Sequence, residues 1–451
     1  MENRGESTLE KLNLLKKQYQ FLHVSGILPY SSVCKSFWKT SLYNSFTILC
    51  MFYLPFTIVT FLLAIEQFGD DLDIFVSILY EVFLFMYIVF ELYYWILNRK
   101  YLLKLYNDLE SKFIPHITKL NLSPDCIQDS INFYNKLMII IVIICVADIF
   151  AWAGVPFLLW CFETSEDYKN MEGNEFWKYF SNICWLPANA TQTPMYQVVY
   201  SHQAFSSYLC GIHLTSCNVV MFSVIYHVAT HFKLIIAALE KVDSRFLVKE
   251  SKQEERYLSK KDIETNEDQS KNDKRANEDL SVTPENFKNQ RSSVIDEEKI
   301  YQYLIDCVKY HQDLLEFCKE ANTLMSPMLL ATLVYIQISV CVPLLLVALG
   351  RYNGFAKYIV AVVEQFVMPC MICYYGDYVI EQSLNVQKAA YGCIWYHRSP
   401  EVKKLLQIII MRAQKPVQFT ANSFYVVSLE TLGDIFNKVY AFFTVLKGMF
   451  E

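Results

Sequence analysis

The chain has 451 residues, of which 53% are hydrophobic and only 19% are charged, whereas an ordinary soluble domain has about 25% charged residues. Acidic residues outnumber basic ones, 46 against 40, so the sequence lacks the basic surplus that is typical of nucleic-acid-binding proteins. This composition disfavours the soluble classes and predicts no nucleic-acid partner.

The first half of the chain alternates long apolar stretches with shorter polar ones. Residues 1–40 are polar and charged, without the apolar core of a cleaved signal peptide, and we predict a cytoplasmic N-terminal segment there. A helix needs about 20 mostly apolar residues to cross a membrane. Within residues 41–229 this requirement is met at 41–65, 73–97, 137–162 and 204–229. We predict transmembrane helices 1–4 at these positions.

A polar loop, residues 230–324, follows the fourth apolar stretch. Its central part, 249–299, is dense in Lys, Glu, Asp, Asn, Gln and Ser and has almost no aromatic residues. Such a segment buries too little apolar area to offset the entropy lost on ordering. We therefore predict a disordered, charged insertion in a cytoplasmic loop, either a regulatory tether or a solvated insertion without a role.

Two further spans and a second polar region come next. Residues 325–376 contain apolar stretches of spanning length at 325–349 and 355–376, which we predict to be transmembrane helices 5 and 6. The region 377–426 then contains Ser399-Pro400-Glu401, which is typical of a helix N-cap, first position and first turn. We predict a short helix from there to about Ala413, within a cytoplasmic anchor region.

The last stretch, 427–451, is apolar but carries a polar stripe. Glu430, Asp434 and Lys438 recur every four residues, so they share one helical face, and Asn437 lies beside them. Charged groups are costly against lipid but are suitable for lining an aqueous path. We predict a seventh transmembrane helix that lines a pore and is followed by an extracellular tail.

Two turns farther along, the four-residue spacing continues with apolar side chains, Val445 and Met449. Apolar rings of this kind close a pore by dewetting when several copies surround one axis. We predict that Glu430, Asp434 and Asn437 line the pore and that Val445 and Met449 form its gate. The alternative is a helix buried among its own neighbours, with its charges paired locally.

Basic residues are concentrated in alternate connecting segments. Residues 1–40, 98–136 and 377–426 are rich in Lys and Arg, whereas the loop after the first span has none. Basic residues near span ends stay on the cytoplasmic side, so we predict a cytoplasmic N-terminus and an extracellular C-terminus, the reverse of a G-protein-coupled receptor. The motif Asn189-Ala190-Thr191 is then a candidate extracellular N-glycosylation site at Asn189.

A small-molecule pocket needs mostly apolar and aromatic walls with few polar groups, and the outer halves of spans 2–6 supply them. At one depth of the bundle we expect the ligand-binding residues Leu79, Tyr80, Phe83, Asp148, Trp152, Val155, Tyr208 and Ile212. Asp148, His213 and Glu364 are ionisable groups inside predicted spans. Such groups either line a polar cavity or hydrogen-bond between helices for packing, and both interpretations stay open.

No enzyme motif is visible in the sequence. It lacks a phosphate-binding Gly-rich loop, an HExxH motif and a GxSxG nucleophile elbow. Cys370 and Cys373 have CxxC spacing, but they lie in an apolar stretch without a second pair, which favours packing over a metal site. We expect no catalytic residues, no metal and no cofactor.

Several motifs cluster in the C-terminal third: RAQKPVQFTA at 412–421, VSLET at 427–431, YAFFTVL at 440–446 and CYYG at 373–376, the last followed by Ser383, Ala390, Tyr391 and Trp395. Together they resemble the terminal signature of insect odorant receptors. Asn422 stands where that family usually has Gly, and Leu432 stands where Phe is frequent. The motif resemblance covers about 373–450, and the remainder agrees in topology and length.

The resemblance implies a ligand-gated, non-selective cation channel in the plasma membrane of sensory neurons. It implies a small volatile, mostly apolar odorant as ligand, bound in the outer half of the helix bundle. It further implies a heterotetramer with a shared odorant receptor co-receptor in the lipid membrane. By position in the terminal motif, Val445 and Met449 would be this subunit's part of the gate.

Four alternatives remain at this stage. The co-receptor itself carries a long insertion in the same loop, but its ending differs from the Thr-Val-Leu-Lys-Gly-Met of this chain. A gustatory receptor usually has a terminal pattern that is absent here. The predicted topology disfavours a G-protein-coupled receptor, and a secondary transporter would more often show internal repeats.

Overall fold

The computed structural model describes residues 16–29, 36–122, 124–162, 175–187, 190, 192–268, 284–349 and 355–450. Within these residues the chain is almost entirely helical. The helices are α1 (Lys16–Val24), α2 (Phe37–Phe68), α3 (Leu72–Leu97), α4 (Arg99–Ser111), α5 (Ile114–Lys119), α6 (Pro124–Ile149), α7 (Val155–Phe162), α8 (Met195–Asp268), α9 (Pro284–Leu349), α10 (Phe355–Gly392), α11 (Pro400–Ala413) and α12 (Leu429–Phe450). A π-helical turn, Phe150–Gly154, joins α6 to α7, a 3-10 turn lies at Glu175–Tyr179, and a short antiparallel hairpin pairs β1 (Thr420–Ala421) with β2 (Tyr425–Val426).

Six helical stretches of the described chain are long and apolar enough to cross a membrane. They are Phe37–Phe68, Leu72–Leu97, Ile127–Phe162, Met195–Asp243, Glu297–Leu346 and Ile359–Gly392. Helix α12 has 22 residues, which at about 1.5 Å per residue is also long enough, but its charged residues set it apart. The predicted all-α membrane fold is confirmed, with six to seven apolar helices.

The helices differ in how much of their surface is buried. Every residue of α8 from 209 to 229 is buried, whereas α2 and α6 expose apolar side chains such as Phe52 and Ile143 on the outside of the bundle. Apolar side chains are stable against lipid but not against water. Helix α8 is therefore the centre of the bundle, and α2 and α6 form part of its lipid-facing rim.

Helices α8 and α9 are much longer than a membrane crossing requires, with 74 and 66 residues against about 20. Both ends of the charged segment 249–299 consequently have helical backbone, up to Asp268 and again from Pro284, while 269–283 lie outside the described residues. This differs from the disorder that we predicted for the segment. Lys, Glu and Gln are good helix formers even without burial, which accounts for the helical backbone.

Beyond the apolar bundle, α4 and α5 pack along α9. Helix α4 buries one apolar face at helical spacing, made of Leu102, Leu105, Tyr106 and Leu109. Acidic residues of α9 lie along a row of polar contacts with α4, α5 and the residue after α4: Lys104 with Glu320 at 2.8 Å, Lys112 with Glu316 at 3.0 Å and His116 with Asp313 at 2.7 Å. Ion pairs between exposed side chains are screened by water and add little stability, so the buried face holds α4 in place.

The short helix predicted in the anchor region is confirmed. Helix α11 runs over Pro400–Ala413, and the Ser399 hydroxyl caps it by accepting a hydrogen bond from the Val402 amide at 3.4 Å. Leu406 and Ile409 are buried against the neighbouring helices.

The hairpin that follows α11 leads the chain into α12. Its turn contains Asn422, whose φ of 46° is the left-handed conformation that Gly adopts freely and Asn tolerates best among the other residues. The Ser326 hydroxyl of α9 accepts from the Asn422 amide at 2.7 Å and donates to the Thr420 carbonyl at 2.6 Å. The entry to α12 is thus fixed against α9.

Candidate functional site

A cavity lies among α3, α6, α8 and α10, at the end of the bundle where α3, α8 and α10 begin and α6 ends. It is lined by Tyr80, Glu81, Leu84, Phe85, Asp148, Trp152, Asn182, Ser207, Cys210, Leu214, Ala361 and Gln365. The space between these walls that could hold a water-sized molecule is only about 20 Å³, so the cavity is a narrow cleft. Apolar and aromatic walls with a few polar groups are typical of sites for small molecules.

One wall of the cavity is an aromatic pair beside a carboxylate. The buried rings of Tyr80 and Trp152 stack with their centroids 6.4 Å apart and an interplanar angle of 22°. Asp148, one helical turn before Trp152, is buried and accepts a hydrogen bond from the Trp152 indole. Its Oδ1 atom has no hydrogen-bond partner among the described residues. The cavity wall therefore contains a buried carboxylate oxygen that is able to accept another hydrogen bond.

The backbone bulges where α6 meets α7, at the π-helical turn Phe150–Gly154. Pro156, two residues after the turn, has no amide hydrogen to donate to the carbonyl four residues earlier. Single π turns accommodate such interruptions, frequently at functional sites. The Tyr200 hydroxyl donates a hydrogen bond to the Ala153 carbonyl of this turn. The turn carries Trp152 at its centre and so fixes the aromatic wall of the cavity.

The loop 181–187 packs beside the cavity and is tied to α8 and α3 by buried hydrogen bonds. The side-chain carbonyl of Gln203 accepts from the Ser181 amide at 3.0 Å. The Glu81 carboxylate accepts from the Ile183 amide at 3.0 Å. Because an unpaired buried amide would cost about 1–3 kcal/mol, these two polar side chains of the helices hold the loop in position.

Asn182 is the contribution of this loop to the cavity wall. Its amide nitrogen lies 3.2 Å from the hydroxyl oxygens of both Ser206 and Ser207, and the Ser207 hydroxyl is hydrogen-bonded to that of Ser181 at 2.7 Å. Next to this network, burial raises the pKa of the Cys184 thiol to about 12. The thiol is therefore neutral at physiological pH, and the loop side of the cavity is polar.

A smaller cavity, with a volume of about 10 Å³, continues deeper into the bundle and shares Leu214 and Gln365 with the first. Gln365 of α10 donates to the Tyr335 hydroxyl at 3.2 Å and accepts from the Ser339 hydroxyl at 3.3 Å. The Tyr335 ring in turn stacks on Tyr87, with centroids 4.2 Å apart. Gln365 therefore connects the first cavity to the packing of α3 against α9.

The structure brings part of the predicted ligand-binding set together. Tyr80, Asp148 and Trp152 line the cavity. The other predicted residues lie outside its lining: Phe83, Val155 and Tyr208 are exposed on the outside of the bundle, Leu79 is half-buried and Ile212 is buried elsewhere. The predicted depth along the helices agrees with the cavity, but the predicted rotation of several helices does not, because neighbouring positions on a helix point about 100° apart.

Sequence reasoning did not select the remaining lining residues, which are Glu81, Leu84, Phe85, Asn182, Ser207, Cys210, Leu214, Ala361 and Gln365. A signal existed for one subset, since Ser207, Cys210 and Leu214 follow the three- and four-residue spacing of one helical face. For Asn182 there was none, because its position depends on how a loop folds back onto α8.

The other polar candidates have separate positions. His213 is buried on α8 outside the lining of both cavities, and its ring nitrogens have no hydrogen-bond partner among the described residues. The side chains of Glu364 and Met449, and the whole of Asn189, lie outside the described part of the chain.

Helix α12 packs through one face and exposes the other. Leu432, Ile435 and Val439 are buried. The predicted pore residues Glu430, Asp434, Asn437 and Val445 are all exposed. The polar stripe is therefore exposed on the single chain and is not buried among neighbours of its own chain, contrary to the alternative considered from the sequence.

Helix α10 connects the cavity with α12. Phe366, the residue after Gln365, packs on Phe436 of α12 with ring centroids 4.6 Å apart. Farther along α10, Gly376 lies against the chain just before α12, since a Cβ atom at this position would be 2.3 Å from the Val427 carbonyl oxygen. Helix α10 therefore lines the cavity and also contacts α12, so a displacement of α10 at the cavity acts on α12 through these contacts.

Comparison with known proteins gives a family match over most of the chain. Residues 71–440 match the family model described as 7tm Odorant receptor. The matched residues include all helices that line the cavity and the first half of α12.

The sequence relatives are insect receptors. Odorant receptor 67c of Drosophila melanogaster is 25% identical over 277 residues, which cover 61% of this chain and 57% of that receptor. Putative odorant receptor 92a of the same species is 22% identical over 355 residues, 78% of this chain and 73% of the relative. The Drosophila melanogaster odorant receptor coreceptor is 34% identical over 93 residues, 21% of this chain and 18% of the coreceptor.

A solved structure shares the fold. The insect olfactory receptor OR5 from Machilis hrabei, solved in complex with eugenol, superposes with a TM-score of 0.71 at 15% identity, covering 96% of this chain and 97% of that one.

Proposed function

Because the chain belongs to the 7tm odorant receptor family, we propose that it is the odorant-binding subunit of a ligand-gated cation channel. The observation that carries this proposal is the arrangement of two features on one helix, α10. Its first half lines the cavity through Ala361 and Gln365, and its Phe366 packs on α12, whose polar stripe is exposed. A ligand that favours one position of α10 also favours one position of α12, which is the thermodynamic requirement for gating.

In this proposal the ligand is a small volatile molecule, and it binds among Tyr80, Asp148, Trp152 and their neighbours. The cleft is narrow, so binding displaces side chains or helices. The displaced and undisplaced states then differ in their affinity for the ligand. This difference in affinity shifts the equilibrium from the closed state toward the open one.

The pore is built from α12 of several subunits. Glu430, Asp434 and Asn437 line its aqueous part, and Val445 and Met449 form an apolar constriction. The exposed polar stripe supports this assignment, because charged side chains are stable in a membrane only against water or a partner. A co-receptor completes the heterotetramer, and the relatives of this chain include such a coreceptor.

We place the protein in the plasma membrane of sensory neurons, with a cytoplasmic N-terminus and an extracellular C-terminus. The distribution of Lys and Arg among the connecting segments supports this orientation. The loop that contains Asn189 is then extracellular, and α4, α5 and α11 belong to the cytoplasmic region.

The test is current recorded from cells that express this chain together with a co-receptor during application of an odorant panel. We expect odorant-evoked cation current that is absent when this chain is omitted. Trp152→Ala should change the rank order of odorants, whereas Phe83→Ala, at the same depth but outside the cavity lining, should leave it unchanged. Loss of rank order in both variants, or no evoked current at normal surface amounts, would contradict the proposal.

A further inference from the structure

We infer that the cavity is built for a protonated amine, so that the ligand class of this receptor is small volatile amines with an apolar or aromatic group. The inference rests on the proposed function and names the chemistry of its ligand. It departs from the mostly apolar odorant that the family resemblance implies.

The first observation is the state of Asp148. This side chain is 9% exposed and its Oδ1 atom is buried without a hydrogen-bond partner, while the Trp152 indole donates to the carboxylate. No residue that lines the cavity, all of them described, is Lys, Arg or His. A buried carboxylate without a cation is unfavourable by several kcal/mol and is protonated instead, so the carboxyl is neutral in the empty cavity, and a ligand that brings positive charge stabilises its ionised form.

The second observation is the pair of rings beside that carboxylate. Tyr80 and Trp152 stack in the same wall, and aromatic faces attract ammonium groups electrostatically when the cation lies within about 6 Å of the ring centre. A carboxylate next to aromatic faces offers an ammonium group both a charge partner and a low-polarity contact.

The third observation is the second carboxylate in the same lining. Glu81 already accepts a hydrogen bond from the Ile183 amide at 3.0 Å, so its primary role is to hold the loop. Its carboxyl also adds acceptor oxygens to a lining that has no basic side chain, and such a lining suits a guest that donates several hydrogen bonds, as an ammonium group does. A purely apolar odorant would leave the buried Oδ1 atom of Asp148 without a hydrogen-bond partner.

The alternative guest is a neutral alcohol or phenol, whose hydroxyl also donates a hydrogen bond to Asp148. The two classes are separated by Asp148→Asn, because the asparagine carbonyl still accepts a hydrogen bond but no longer carries charge. Glu91→Gln is the matched control, since Glu91 is a buried carboxylate of α3 that does not line the cavity.

The experiment compares 2-phenylethylamine, 2-phenylethanol and ethylbenzene on cells that express the chain with a co-receptor. We expect the amine to activate at the lowest concentration. Asp148→Asn should raise its half-maximal concentration by about 100-fold, as expected for loss of one member of a buried charge pair, and should change that of the alcohol by less than about 3-fold. Glu91→Gln should change neither.

An amine response that is unaltered in Asp148→Asn, or an equal loss for amine and alcohol, overturns the inference. A response of the wild-type chain to other odorants but not to the amine overturns it while leaving the proposed function intact. If no odorant evokes current, the proposed function fails, and the inference is then tested by ligand binding alone. The purified protein should have a higher melting temperature with 2-phenylethylamine than without it, and Asp148→Asn should abolish this increase. No stabilisation of the wild-type protein by the amine overturns the inference.

Discussion

Gly376 is a position where the size of one side chain decides how two helices meet. We expect Gly376→Ala to lower the melting temperature of the purified protein and its amount at the cell surface, because the new Cβ would lie 2.3 Å from the Val427 carbonyl oxygen. Overpacking of this kind costs about 1–3 kcal/mol. Gly392→Ala is the control, since no atom lies within 4 Å of its Cβ position. Equal melting temperatures for the two variants would show that α10 and the start of α12 are not in close contact.

The position of a single side chain can be predicted from the sequence where its interactions are with residues close by in the chain. Ser399 was identified as an N-cap because capping depends on the next three residues alone, and its hydroxyl does accept from the Val402 amide. Phe83 was assigned to the pocket from its depth, but it points outward, because the rotation of α3 is set by packing against α2, α8 and α9. Asn182 carries no local signal for its place in the cavity wall.

At the scale of elements, α12 combines a packed face with an exposed one, and its contact with α10 has a measurable consequence. We expect Phe436→Ala to weaken the coupling between cavity and pore, because it removes the ring that packs on Phe366. An aromatic pair contributes about 0.5–1.5 kcal/mol, which corresponds to about a 2- to 10-fold change in the gating equilibrium. Maximal current per surface receptor should fall accordingly.

The control is Phe52→Ala, the same change at an exposed position of α2, outside α12. It should leave the maximal current within the scatter of the wild-type protein. Equal losses in both variants would mean that the ring at Phe436 has no special part in coupling.

Element boundaries could be predicted wherever composition changes sharply. Each of the six predicted apolar stretches lies within a spanning segment of the structure or extends beyond it by at most four residues, and the polar stripe of α12 follows from its four-residue spacing. The π-helical turn at Phe150–Gly154 was not predicted, since Pro156 indicates an interruption but not its form. The helical backbone at both ends of 249–299 was not predicted. The low apolar content of this segment argues against a packed core, but a segment without a core is still able to form a helix.

At the scale of the whole molecule, the bundle and the family could both be inferred from the C-terminal motifs and the apolar stretches. The cavity could not, because it is formed by α3, α6, α8, α10 and a loop that are far apart in sequence. Its narrow form and its unpartnered carboxylate oxygen at Asp148 are properties of tertiary packing. For this reason the mostly apolar ligand expected from the resemblance and the amine inferred from the structure differ.

The central claim is that the exposed stripe of α12 faces an aqueous pore that opens when a ligand occupies the cavity. The most direct measurement is modification of single cysteines by a charged, membrane-impermeant thiol reagent during odorant application, with current as the readout. Asp434→Cys and Asn437→Cys should react and alter the current, faster with odorant than without, whereas Ile435→Cys, buried against the same chain, should not. Reaction at Ile435→Cys with none at Asp434→Cys or Asn437→Cys would show that the stripe does not face an aqueous pore.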